Sequence, residues 1–203
     1  MANAKTETVS IGLRAKTGRA IAVVLSGPLD SPRVLRRAEL SLADPRVPAT
    51  MQPYHEVLDL PWEKAKAAVR KTATKIEAVA SEALAGVVRQ ARSDGLLVCG
   101  VGIVGAPDRN LEKIGGSHIR AHAAEGVLFR QVLEFAAAAN GLPVRRFDDR
   151  SLDDTAAREL HFSTAKLKTR LQEVGRTAGR PWRADEKAAA AAAWLALAAF
   201  GEK

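Results

Sequence analysis

His118, His122 and Glu125 follow one another at steps of four and three, the spacing that brings side chains to one face of a helix. Two imidazoles and a carboxylate can bind zinc or another transition metal. His118, close to a helix start, could instead hold a phosphate as a cation or act as a general base. Surface capping and core hydrogen bonding are the ordinary uses of such histidines, and the spacing lacks the glutamate of the His-Glu-x-x-His motif. A second pattern is basic: Lys166, Lys168, Arg170, Arg176, Arg180 and Arg183, with Lys187 beyond and Trp182 among them. Cations on a loop loosened by Gly175 and Gly179, beside an aromatic ring, suit a phosphate backbone with a stacked base. A solvated helix face with Trp182 as a core lid is the alternative. Asp185 and Glu186 form an acid pair at the start of the last helix, and Arg33, Arg36 and Arg37 form a smaller basic cluster.

Other patterns carry less chemistry. Lys16-Thr17-Gly18 reads as a hairpin turn rather than a phosphate cradle, because it has one glycine and no partner aspartate. Gly100-x-Gly102-x-x-Gly105 has dinucleotide-type spacing but lies inside an apolar run, which fits close packing of a buried strand. Asp148, Asp149, Asp153 and Asp154 read as a solvated cap, with cation binding as the alternative.

The whole chain bounds these readings. It has 203 residues, a net charge of +8 and a pI near 10.0, a balance that favours polyanionic partners. Its one cysteine, Cys99, excludes an internal disulfide and a Cys-rich zinc site, and its apolar neighbours suggest a buried thiol. The polar first eight residues lack the apolar centre of a signal peptide, and no apolar run approaches the length of a membrane span. The expectation is a soluble, cytoplasmic protein of one domain over residues 1–203, with 1–8 flexible and no membrane partner.

The elements that must position these residues can be read from periodicity. Residues 9–14 and 19–25 predict a hairpin and 34–42 a third strand. Residues 44–60, with Pro45, Pro48 and Pro53 around Tyr54 and His55, predict an irregular inserted loop. The apolar stripe through Ala65, Val69, Ile76, Val79, Ala83 and Val87 predicts a helix over 62–92, ended at Gly95. Residues 96–104 predict a strand buried on both faces. A helix capped by Ser117 runs to about 139 and stops at Asn140-Gly141. A strand over 144–147 and helices over 151–160, 164–174 (ended by Gly175) and 185–200 complete the order βββ–α–β–α–β–α. This is an α/β fold with a mixed five-stranded sheet flanked by helices.

That order, together with the stretch from Ile11 to Ala20, the segment Glu125-Gly126-Val127-Leu128 followed by Asn140-Gly141-Leu142-Pro143-Val144, and the acid-then-alanine helix from Asp185, resembles the RNase H-like superfamily, Holliday-junction-resolvase type. The resemblance implies DNA or RNA, branched forms included, as partner, and pairing into a homodimer. It also implies a nuclease site in which acids on the first strand, the fourth strand and the last helix hold two divalent ions, Mg²⁺ or Mn²⁺. The first-strand position falls here on Leu13 or Arg14, the fourth strand carries no acid, and only Asp185 with Glu186 matches the last helix. The degenerate set points to nucleic-acid binding without standard two-metal cleavage. Two further readings stand beside it: a hydrolase with a metal site rebuilt from His118, His122, Glu125 and Asp185, and a non-catalytic scaffold whose alanine-rich last helix packs on a partner.

Overall fold

The computed structural model describes residues 6–201. β1 (Glu7–Lys16), β2 (Arg19–Ser26) and β3 (Arg33–Ser41) form an antiparallel meander, then α1 (Trp62–Ser93), β4 (Leu96–Gly105), α2 (Ser117–Ala139), β5 (Val144–Asp148), α3 (Leu152–Glu159), α4 (Thr164–Ala178) and α5 (Ala184–Phe200) follow. The sheet order is β3-β2-β1-β4-β5, with β1, β4 and β5 mutually parallel. This is the mixed five-stranded sheet expected from the sequence. β1 begins at Glu7, so the expected flexible segment 1–8 is too long at its inner end, and residues 1–5 lie outside the described residues.

The two-residue period of the strands divides the core in two. Val9, Ile11, Leu13, Ala20, Ala22, Val101 and Ile103 face α1 and α2. Ile21, Val23, Leu25 and Val104 face α3, α4 and α5. Ser10, Gly12, Gly100 and Gly102 also lie beneath α5. A Cβ on Gly12 would come 1.8 Å from the Ala189 carbonyl oxygen, and one on Gly102 would come 2.0 Å from that of Ala192. The absence of side chains on the strands and the alanines of α5 are therefore one feature: the helix backbone rests almost on the sheet. Ser10 Oγ donates to the Ala193 carbonyl at 2.6 Å across this seam. Trp194, fully buried, donates its indole N–H to the Leu29 carbonyl at 3.0 Å.

Several local expectations change. Residues 189–196 of α5 are fully buried within their own chain, so this helix is not the surface on which a scaffold could pair with a partner. Gly175 does not end α4; it lies buried inside the helix because its bare Cα makes room for the Trp182 ring, and the stop is Gly179, at φ +75°. α2 is entered from Gly116, which makes Ser117 its first residue rather than its cap. The inserted loop contains short 3₁₀ turns at Pro48–Thr50 and His55–Val57. Burial pushes the Cys99 thiol above its ordinary pKa, as an inert packed thiol requires.

Candidate functional site

β1, β3, β4 and β5 run in the same direction, so their C-terminal ends share one edge of the sheet. The edge is divided by the sheet plane into two sites of different chemistry.

On the α5 side, Arg14 leaves the end of β1. Its Nε lies 3.4 Å from Asp185 Oδ1, on the first turn of α5, and its Nη2 lies 3.2 Å from Asp149 Oδ2, just past β5. Lys16 Nζ approaches Asp185 Oδ2 at 3.3 Å. The Arg14 side chain is only 17% exposed, and its Nη1 is buried without a hydrogen-bond partner among the described residues. Arg14, Asp149 and Asp185 border a cavity of about 500 Å³ in which four cations, Arg14, Arg150, Lys168 and Lys187, face three carboxylates, Asp149, Asp153 and Asp185. Two of the three carboxylates are already answered by Arg14 and Lys16. The cavity therefore offers Arg150, Lys168 and Lys187 to an incoming anion.

The residues at this edge do not fit a pair of hard divalent ions. Such ions need several oxygen ligands in excess of any local positive charge. Here a guanidinium occupies the space between the two aspartates, and β4 has no acid anywhere in Leu96–Gly105. Glu186 is likewise committed. It is 5% exposed, and its Oε2 accepts the Arg183 backbone N–H at 2.8 Å, so it is part of the cap of α5 rather than a reactive group. Glu186→Ala is expected to cost about 1–2 kcal/mol in urea unfolding through loss of this cap, with nucleic-acid affinity unchanged.

The basic residues read from the sequence divide as well. Lys168 lines the cavity, and Lys166, Arg176, Arg180 and Arg183 are exposed on α4 and its exit. Arg170 is turned away, donating to the Asp30 carbonyl at 2.5 Å and pairing with Glu173 at 3.3 Å. Trp182 packs on Gly175 and donates to the Leu171 carbonyl at 2.9 Å, so its ring serves as a lid on α4 and not as a free stacking platform. Arg33, Arg36 and Arg37 each find a carboxylate, in Glu7, Asp94 and Glu186. Arg150 went unread in the sequence; its only signal was its place directly after the strand-end aspartates.

On the α2 side, His118 and His122 stand exposed on the first turns of the helix, with their Nε2 atoms 3.1 Å apart. Glu125 is fully buried and turned inward, where its Oε1 accepts from His55 of the inserted loop, at 2.8 Å from the Nδ1 and 3.3 Å from the backbone N–H. Asp185 is on the opposite face of the sheet with Arg14. The site rebuilt from His118, His122, Glu125 and Asp185 therefore does not assemble: the two histidines meet, Glu125 stands behind a third histidine, and Asp185 belongs to the cavity.

By sequence, the chain matches no protein-family model and no curated protein. By structure it is similar to Thermus thermophilus RuvC in complex with a Holliday junction substrate, at 14% identity and a TM-score of 0.54 over 95% of each chain. A second structure of Thermus thermophilus RuvC aligns at 15% identity and the same TM-score over 95% of this chain and 96% of that one.

Proposed function

We propose that this chain, whose fold is that of the RuvC-type RNase H-like proteins, binds branched nucleic acid, a four-way DNA junction first, and does not cut it by two-metal chemistry. The observation that carries the reading is Arg14, held between Asp149 and Asp185 where the resemblance calls for a metal-binding acid. A guanidinium there neutralises the carboxylates that would attract Mg²⁺ and leaves a basic cavity at a sheet edge. In the similar structure, the named partner is a Holliday junction.

Phosphates meeting this edge would find Arg150, Lys168 and Lys187 in the cavity, with Lys166, Arg176, Arg180 and Arg183 on the α4 side. Lysine and arginine contacts of this kind position a backbone without reading bases. Shape would therefore select the partner, and a junction presents more phosphates to a concave basic surface than a duplex does.

Anisotropy titration of a labelled four-way junction against a duplex of the same sequence tests this. About four phosphate contacts predict an affinity falling on the order of a hundredfold between about 50 and 200 mM salt. The junction should also bind more tightly than the duplex. Absence of binding at low salt would remove the reading.

No helix among the described residues is long and apolar enough to cross a membrane.

A further inference from the structure

The three histidines of the α2 face are not used by the nucleic-acid reading, and their arrangement is that of a ligand set. His55 from the inserted loop and His118 and His122 from α2 place one ring nitrogen each within 4.8 Å of the others. Among the described residues this is the only group of three histidine, cysteine or acidic side chains that does so. The rings meet edge to face, with centroids 4.4–5.0 Å apart and interplanar angles of 64–84°. A tetrahedral zinc with Zn–N bonds of about 2.0–2.1 Å holds its nitrogens about 3.4 Å apart, and the His118 and His122 Nε2 atoms are 3.1 Å apart.

The third histidine supplies the independent evidence. His55 Nδ1 is committed to Glu125 at 2.8 Å, which leaves Nε2 as its free ring nitrogen. Among the described residues that Nε2 is buried and has no hydrogen-bond partner, and the second oxygen of Glu125, Oε2, is also buried without one. A buried orphan nitrogen and a half-satisfied, fully buried carboxylate both carry a desolvation cost that nothing in the described residues offsets. One cation among the three rings would satisfy the first by coordination and the second by its charge. The chain carboxylate–histidine–ion would then be the one by which metal proteins fix the tautomer and aim of a ligating ring.

We infer that His55, His118 and His122 bind one divalent transition metal ion, zinc first, with Glu125 positioning His55 from behind. Three neutral imidazoles suit zinc and its neighbours and do not suit Mg²⁺ or Ca²⁺, which want oxygen. Because His118 and His122 are exposed, the fourth position of the ion faces solvent and takes water. The ion would also tie the loop of residues 44–60 to α2, because one ligand comes from the loop and two from the helix.

The full chain, stripped with a chelator, is titrated with Zn²⁺ by calorimetry and with Co²⁺ by visible absorption, and Mg²⁺ serves as the control. One Zn²⁺ per chain, tetrahedral-type Co²⁺ bands and a thermal midpoint raised by Zn²⁺ but not by Mg²⁺ are expected. His118→Ala and His122→Ala, at exposed positions that leave the core intact, should each weaken Zn²⁺ by about 100-fold or more. Glu125→Gln should weaken it by about 10–100-fold while keeping the Co²⁺ bands. His161→Ala, which changes the remaining histidine outside the cluster, should leave binding unchanged. Failure of the wild-type chain to bind Zn²⁺, or binding that survives His118→Ala and His122→Ala, overturns the site. Neither result bears on junction affinity, which is measured separately.

Discussion

Gly102→Val is expected to abolish the native fold, or to leave a chain destabilised by at least about 4 kcal/mol, read as the midpoint of urea unfolding. The cause is the seam between sheet and α5. A Cβ at Gly102 would come 2.0 Å from the Ala192 carbonyl oxygen and 2.5 Å from its carbon, both backbone atoms that cannot turn aside. The helix would have to lift, and Trp194, Leu195 and five consecutive alanines from Ala189 to Ala193, all fully buried, would lose their packing together. A loss of this size is a large share of the stability of an ordinary domain. Because Asp185 reaches Arg14 from the first turn of the same helix, the variant should also dismantle the ion pairs at the sheet edge. Gly86→Ala is the matched control. Its Cβ would meet only the tip of the Arg89 side chain, at 3.9 Å, and the change should be neutral or stabilising by up to about 1 kcal/mol through helix propensity.

The second large effect is on binding. Lys168→Glu combined with Lys187→Glu is expected to weaken the four-way junction by about a hundredfold at low salt and to lower the salt slope by about two. Both side chains border the cavity, and neither is engaged in an ion pair among the described residues, so their reversal changes the field there without breaking an existing ion pair. Arg170→Glu is the comparison, because that guanidinium is turned to the Asp30 carbonyl and Glu173. It should cost some stability and little affinity. Equal losses of affinity from the two would mean that the cavity is not where phosphates are held.

The strand and helix order was legible because each element carries a clear period: alternation in the meander, an unbroken apolar run in β4, and steps of three and four along α1. The glycines of β4 were legible as close-packing positions for the same reason. Gly175 misled because a glycine within a charged segment looks the same whether it breaks a helix or admits a ring; Trp182, seven residues on, decides which. The site was read in halves. His118 and His122 announce themselves by spacing on one helix, whereas His55 lies in a proline-rich loop far upstream and nothing local links it to them. Glu125 was read onto the histidine face, but burial turns it behind His55 instead. At the other site Arg14 was visible as a misplaced charge. Its two partners, Asp149 and Asp185, come from opposite ends of the α3–α4 excursion, and only the folded sheet edge brings them together.

The nucleic-acid reading and its chemical silence are tested most directly by one experiment. An end-labelled four-way junction is incubated with saturating protein in Mg²⁺ or Mn²⁺, and the bound fraction and cleaved strands are read from the same samples. The expected result is a retained complex with intact strands, because Arg14 stands where ions would need carboxylates. Metal-dependent nicking that disappears in Asp185→Asn would contradict it.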